Sequence, residues 1–199
     1  EKEEETMIDA QKLLENSEKN KALHPDDIPA LDLYMDQIIA LMSAHLGGEG
    51  EREPLTRTMI HNYSKAGLIA PVKGKKYTKE HILQMLAIYS LKNTLSIAQV
   101  KRVLNGASAC GVHEKELAQC FDTQLSRRDT IGQQLTTCML QIIQETDMKL
   151  DTPEDALSFL LTLTDITDTL SNFAAAITEQ CFPDPEVPKE KEKRKEKRD

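Results

Sequence analysis

Phe159, Leu163, Ile166, Leu170, Phe173 and Ile177 follow one another at intervals of 4, 3, 4, 3 and 4 residues. That rhythm places all six on one stripe of an α-helix, in the a/d pattern of helices that pack along their length. Thr152 stands where a helix N-cap belongs, Pro153 at the first helical position and Asp155 at the capping-box position. At 1.5 Å per residue the stripe covers about 25 Å. A helix with such a face does not stand alone in water, so a bundle or an antiparallel coiled coil must supply the other side. The preceding helix, a second copy of the chain, or both can do so.

The preceding segment, from about 112 to 150, also has helical periodicity, with Ile131, Leu135, Cys138 and Ile142 in register and SRRDT at 126–130 as a candidate break. NGASACG at 105–111 marks a boundary before it. After the last helix, PDPEVPKEKEKRKEKRD opens with prolines and then alternates charge, with no apolar side chain after Val187, which is the composition of a disordered tail.

Upstream the elements are shorter. Residues 31–46 carry apolar side chains at helical spacing up to Gly47 and Gly48, and GGEGEREP at 47–54 is a polar connection. Thr56 caps a short helix with Met59, Ile60 and Tyr63 on one face, and Gly67 followed by Leu68 fits a left-handed C-cap. LIAPVKGKKYT then reads as a two-stranded hairpin turning at Lys73 and Gly74. Thr78 caps the next helix, and Ser96 with Gln99 forms a capping box for a helix ending near Leu104.

Charge sharpens this division. The chain of 199 residues has a formal net charge of −8. Residues 54–104 nevertheless hold 9 basic side chains against a single acid, Glu80, while residues 1–53 hold 5 against 14 and residues 105–188 hold 4 against 14. A basic island inside an acidic protein fits a polyanion site, or else a surface docked against its own acidic flanks.

Other classes find little support. No apolar run approaches the roughly 18 residues that span a bilayer, and the acidic start lacks the pattern of a secretory signal, so a cytosolic protein is expected. Cys110, Cys120, Cys138 and Cys181 contain no CxxC pair and are expected as reduced, mostly buried thiols. Cys110, His113 and Cys120 lack the short paired spacing of a zinc site, so no metal or other cofactor is expected. The five histidines are scattered, no phosphate loop or nucleophile motif occurs, and no catalytic residue is assigned.

The basic island does suit duplex DNA, where cations neutralise phosphates and a thin element enters a groove. Thr58, His61 and Asn62 share one face of the short helix, flanked by Arg57 and Lys65, opposite the core face. Asn62 suits an adenine edge and Arg57 a guanine or a phosphate. Lys73, Lys75 and Lys76 cluster on the hairpin, where they suit phosphate as a wing.

The block from Thr56 to Leu104 resembles the winged helix-turn-helix of MerR-type bacterial regulators. The likeness lies in Tyr63, Gly67, Leu68, Ile69 and Pro71, the basic wing closing at Lys75 to Tyr77, Thr78 with Glu80, and Leu95 to Ile97. With LDLYMDQI at 31–38, residues 24–106 are similar to a bacterial family known as domain of unknown function 1836. These resemblances imply a DNA-binding fold, and the MerR likeness adds a long helix that dimerises in antiparallel fashion. The expected architecture is therefore all-α with one small hairpin wing. It comprises an acidic arm (1–23), a winged helix-turn-helix (24–106), a C-terminal helical hairpin for dimerisation or an effector (107–182) and a disordered tail (183–199). The expected function is transcriptional regulation by a homodimer on duplex DNA. The alternative is a non-catalytic protein-interaction module acting through the C-terminal hairpin.

Overall fold

The computed structural model describes residues 12–13, 22–46, 53–146 and 150–182. The expectations for most of the acidic arm, for residues 47–52 and for the tail lie outside them. A 3₁₀ turn at Pro25–Asp27 precedes β1 (Leu33–Tyr34), α1 (Met35–Leu46), α2 (Arg57–Lys65), β2 (Lys76–Tyr77), α3 (Lys79–Leu91), α4 (Ile97–Ala109), α5 (Glu114–Glu145) and α6 (Pro153–Cys181). The fold is all-α with one two-residue antiparallel ladder between β1 and β2.

The core gathers around α3. Ile82, Leu83, Met85 and Ile88 are fully buried, covering nearly the whole circumference of the helix, because β2, α4 and α5 all pack on it. Ile38 and Met42 of α1, Ile60 and Tyr63 of α2, Leu68, Ile69, Leu95 and Val100 complete the cluster. Three helix starts are built as the sequence leads one to expect. Thr56 Oγ1 accepts from the Met59 amide at 3.2 Å, Ser96 Oγ from Gln99 at 3.3 Å and Thr152 Oγ1 from Asp155 at 3.2 Å. Each satisfies an amide that the first helical turn leaves without a partner.

Several expectations are corrected. α1 starts at Met35, four residues later than its apolar spacing suggests, because Leu33 and Tyr34 are drawn into a strand. The hairpin within residues 68–77 does not form. β2 pairs instead with β1, Leu33 opposite Tyr77 and Tyr34 opposite Lys76. The segment before the turn is committed elsewhere: Leu68 and Ile69 are buried in the core, the Ala70 amide donates to Gln84 Oε1 at 2.9 Å, and Pro71 has no amide hydrogen. α4 continues through Gly106 to Ala109, and the break falls at Gly111, whose φ is +86°. α5 passes through residues 126–130 without interruption and ends at Glu145. All four cysteines are exposed rather than buried.

The two long helices attach to the core by their near ends. Leu117, Ala118 and Phe121 of α5 pack on the core cluster, and α5 lies against α3. α6 docks on α4: Arg102 donates through Nη2 to the Glu179 carbonyl at 3.2 Å and through Nε to the Phe182 carbonyl. The Phe182 ring rests on Gly106, where a Cβ would meet it at 2.9 Å. Away from these ends burial thins, and Met139 and Thr178 are the only fully buried residues of α5 and α6. Cover along the seam of α6 is uneven within one chain. Phe159, Leu163 and Ile166 are half-buried, but Leu170, Phe173 and Ile177 are 59%, 66% and 43% exposed, and Ile131 and Leu135 of α5 are also exposed. None of the described helices is long and apolar enough to cross a membrane.

Candidate nucleic-acid interface

The basic face is built on α2 and the loop that follows it. Ile60 and Tyr63 anchor the inner side of α2, Met59 is half-buried, and desolvation pushes the Tyr63 phenol above its ordinary range, with Glu53 and Tyr89 adding to the effect. The helix closes in a Schellman motif: the Leu68 amide donates to the Tyr63 carbonyl at 2.9 Å and the Gly67 amide to Ser64 at 3.1 Å. Gly67 sits at φ +69°, where a Cβ is unfavourable. This closure sends the chain sideways, with Leu68 buried, and brings the loop up beside the helix.

With one side of α2 fixed, Thr58, His61, Asn62 and Lys65 stand exposed on the other, at the i, i+3, i+4, i+7 spacing of one face. Arg57 is exposed too, but its Nη2 lies 2.5 Å from Asp36 Oδ1 at the start of α1. It is therefore already paired with a carboxylate, a constraint that no local pattern announces.

The loop turns at Gly74, whose φ is +83° and around which a Cβ would find nothing within 4 Å, so Lys73 and Lys75 project from an open corner. Lys76 is exposed as well, with its Nζ 5.2 Å from the centre of the Tyr34 ring, a cation–π contact that holds it over β1. The β1–β2 ladder ties the returning arm of this loop to the base of α1. α2 and the basic loop are thus fastened to the same core by different contacts.

A groove of about 630 Å³ runs between α2, the loop and the end of α4, with His61, Ser64, Gly74, Gln84, Asn105 and Ser108 among its walls. At its edge the Lys101 side chain lies 3.8 Å from the point where a Gly67 Cβ would stand. Lys101 is a cation that belongs with this face, and the signal for it is its place in the basic island.

Among the described residues no carboxylate pairs with Lys65, Lys73, Lys75 or Lys76. Glu80, the lone acid of the island, faces His113 Nδ1 at 3.5 Å instead. Lys92 is held by Glu53 at 3.9 Å and lies over the Tyr89 ring. Among the described residues the side-chain ion pairs between the basic segment's cations and its acidic flanks are those of Arg57 and Lys92.

His81 Nδ1 accepts from the Thr78 amide at 3.1 Å, capping α3, and its ring meets Tyr77 edge-on. Among the described residues no group of three or more His, Cys, Asp or Glu side chains is arranged to hold a metal ion.

A family model described as a domain of unknown function, DUF1836, matches residues 23–124. Its span takes in the whole basic face and the first turns of α5. No curated protein and no solved structure matches the chain.

Proposed function

The chain belongs to the DUF1836 family, and from the surface of this member we propose that it binds duplex DNA through α2 and the 73–76 loop, as a transcriptional regulator. One observation carries the reading: an exposed polar helix face and a projecting lysine loop, without acidic partners among the described residues, are held side by side on one core. A cationic loop held beside a helix narrow enough for the major groove is the arrangement that phosphate contact and base readout both need. The order of helix, basic loop, helix and helix also supports the finer reading, a winged helix-turn-helix similar to that of MerR-type regulators, with β2 completing the wing against β1.

In this reading Thr58, His61 and Asn62 face base edges, Lys65 flanks them, and Lys73, Lys75 and Lys76 hold phosphate. Arg57 contributes only if it leaves Asp36. The test is fluorescence anisotropy of a labelled 30-mer duplex at about 50 and 200 mM salt, where non-specific binding of about 10⁻⁴ to 10⁻⁶ M is expected at physiological salt. Lys75→Glu with Lys76→Glu weakens binding to every sequence and lowers the salt slope by about one per lost contact. Asn62→Ala costs about 1 to 3 kcal/mol at a selected site and little elsewhere. Absence of binding at the lower salt would sink the proposal.

A further inference from the structure

α4 has a side that neither the core nor α6 uses. Val100 is fully buried, and Arg102 and Gly106 are taken up by the end of α6. Lys101, Asn105 and Ser108 instead stand exposed, at the i, i+4, i+7 spacing of one helix face. α4 contains no Asp or Glu, and among the described residues Lys101 pairs with no carboxylate. Asn105 and Ser108 share the groove of about 630 Å³ with His61 and Ser64 of α2, and none of the residues lining that groove is acidic. Lys101 reaches its edge because residue 67 is a glycine: Cε and Nζ of the lysine both lie 3.8 Å from the point where a Cβ would stand, so a longer side chain there would crowd the ammonium. The floor is fixed, with Leu68 and Ile69 buried and the Ala70 amide donating to Gln84 Oε1.

We infer that this groove seats the phosphate backbone of one DNA strand, with α4 as a third contact element beside α2 and the 73–76 loop; this rests on the DNA reading and adds to it a row of contacts that α2 and the loop do not supply. Lys101 neutralises phosphate in this arrangement, and Asn105 and Ser108 donate to phosphate oxygens. The charge balance favours an anion. The C-terminal ends of α2 and α4 border the groove, and each brings at most about half a negative charge. Lys65, in the last turn of α2, and Lys101 bring a full positive charge each, so the cations outweigh both helix ends. The shape favours a polymer over a small ion. From Lys101 to Ser108 the row runs about 10 Å at 1.5 Å per residue, which meets a length of backbone rather than one anion. Val72 and Leu104, both half-buried, line the same groove and suit the apolar face of a deoxyribose. His61 belongs both to the groove wall and to the exposed face of α2, so a strand seated here runs next to the bases that α2 would read.

Anisotropy of a labelled random-sequence duplex against the full chain, between about 50 and 200 mM salt, tests it. Lys101→Gln is expected to weaken binding to every sequence and to lower the salt slope by about 0.9, so that the fall in affinity across that salt range shrinks by about 3.5-fold. Asn105→Asp sets a carboxylate of the same shape in the groove and is expected to weaken binding severalfold at the lower salt and less at the higher, where repulsion is screened. Lys92→Gln removes a cation of the same basic island that Glu53 already holds, and leaves the slope unchanged. A wild-type chain that binds DNA while Lys101→Gln and Asn105→Asp keep its affinity and slope overturns the inference and leaves α2 and the loop as the whole interface. Equal losses in Lys101→Gln and Lys92→Gln overturn it too, since they would report the charge of the island and not a seat. A wild-type chain that does not bind overturns this inference and the DNA reading together. Should Lys101→Gln fail to fold, by circular dichroism, the isosteric Asn105→Asp decides alone: folded and unimpaired in binding, it overturns the inference.

Discussion

The head of the molecule, from Leu23 to Ala109, and the two long helices beyond it use apolar residues in opposite ways. In the head almost every large apolar side chain finds cover within the chain, and α3 is buried nearly all round. α5 and α6 are more than twice as long as any helix of the head, yet two of their residues are fully buried and eight of their large apolar side chains are exposed. A short helix surrounded by neighbours closes its own core. Among the described residues the long helices find most of their cover at the ends that meet the head, so the first region is a closed core and the second carries an apolar stripe that is largely uncovered.

Large-to-small substitution breaks or sharpens this contrast most directly. Met85→Ala in the head removes a fully buried side chain and is expected to cost about 2 to 5 kcal/mol in urea denaturation. Leu161→Ala on α6 removes one that is already mostly in water, and the expected change stays within about 0.5 kcal/mol. Comparable losses at the two sites would mean that Leu161 is covered in solution, and the contrast between the two regions would fail.

The joint between the regions gives the next largest effect. Gly106→Ala gains about 1 kcal/mol of helix propensity but forces a methyl group against Phe182, an overpacking that costs about 1 to 3 kcal/mol. The net loss is expected to be about 1 kcal/mol, concentrated at the dock. In hydrogen exchange, the amides near Thr178 should lose protection while those of α3 keep theirs. Uniform loss over both would show that head and long helices unfold as one unit.

The contrast also explains what was legible in the sequence. Caps are local, and Thr56, Ser96 and Thr152 announce their helices because donor and acceptor lie three residues apart. Gly67 is equally local, since only its own φ is at stake. The hairpin expected in LIAPVKGKKYT does not form because the partner of Tyr77 is Leu33, 44 residues earlier, and nothing near that stretch states that Leu68 and Ile69 go to the core. Gly106 looked like a boundary because a glycine inside a helix weakens it, and its reason is a phenylalanine 76 residues away. The stripe residues share one face because α6 forms over Pro153–Cys181, but the periodicity is silent on what covers that face. Among the binding candidates, the exposed positions of α2 follow from helical spacing alone, whereas the engagement of Arg57 depends on how α1 and α2 meet.

That last pair yields the smallest effect and separates two roles for one residue. Arg57 and Asp36 are both about two-thirds exposed, so their attraction acts through water and is worth about 0 to 1 kcal/mol of stability. Asp36→Asn should therefore leave the denaturation midpoint almost unchanged. On DNA the same change removes a carboxylate from the edge of the basic face and frees a guanidinium, so affinity should rise severalfold and the salt slope steepen by about one phosphate contact. If affinity rises in Asp36→Asn but not in Asp36→Asn with Arg57→Ala, Arg57 is a phosphate ligand that the apo protein stores on α1. A gain of equal size in both would assign the effect to removal of the carboxylate alone and leave Arg57 as a strut between α1 and α2.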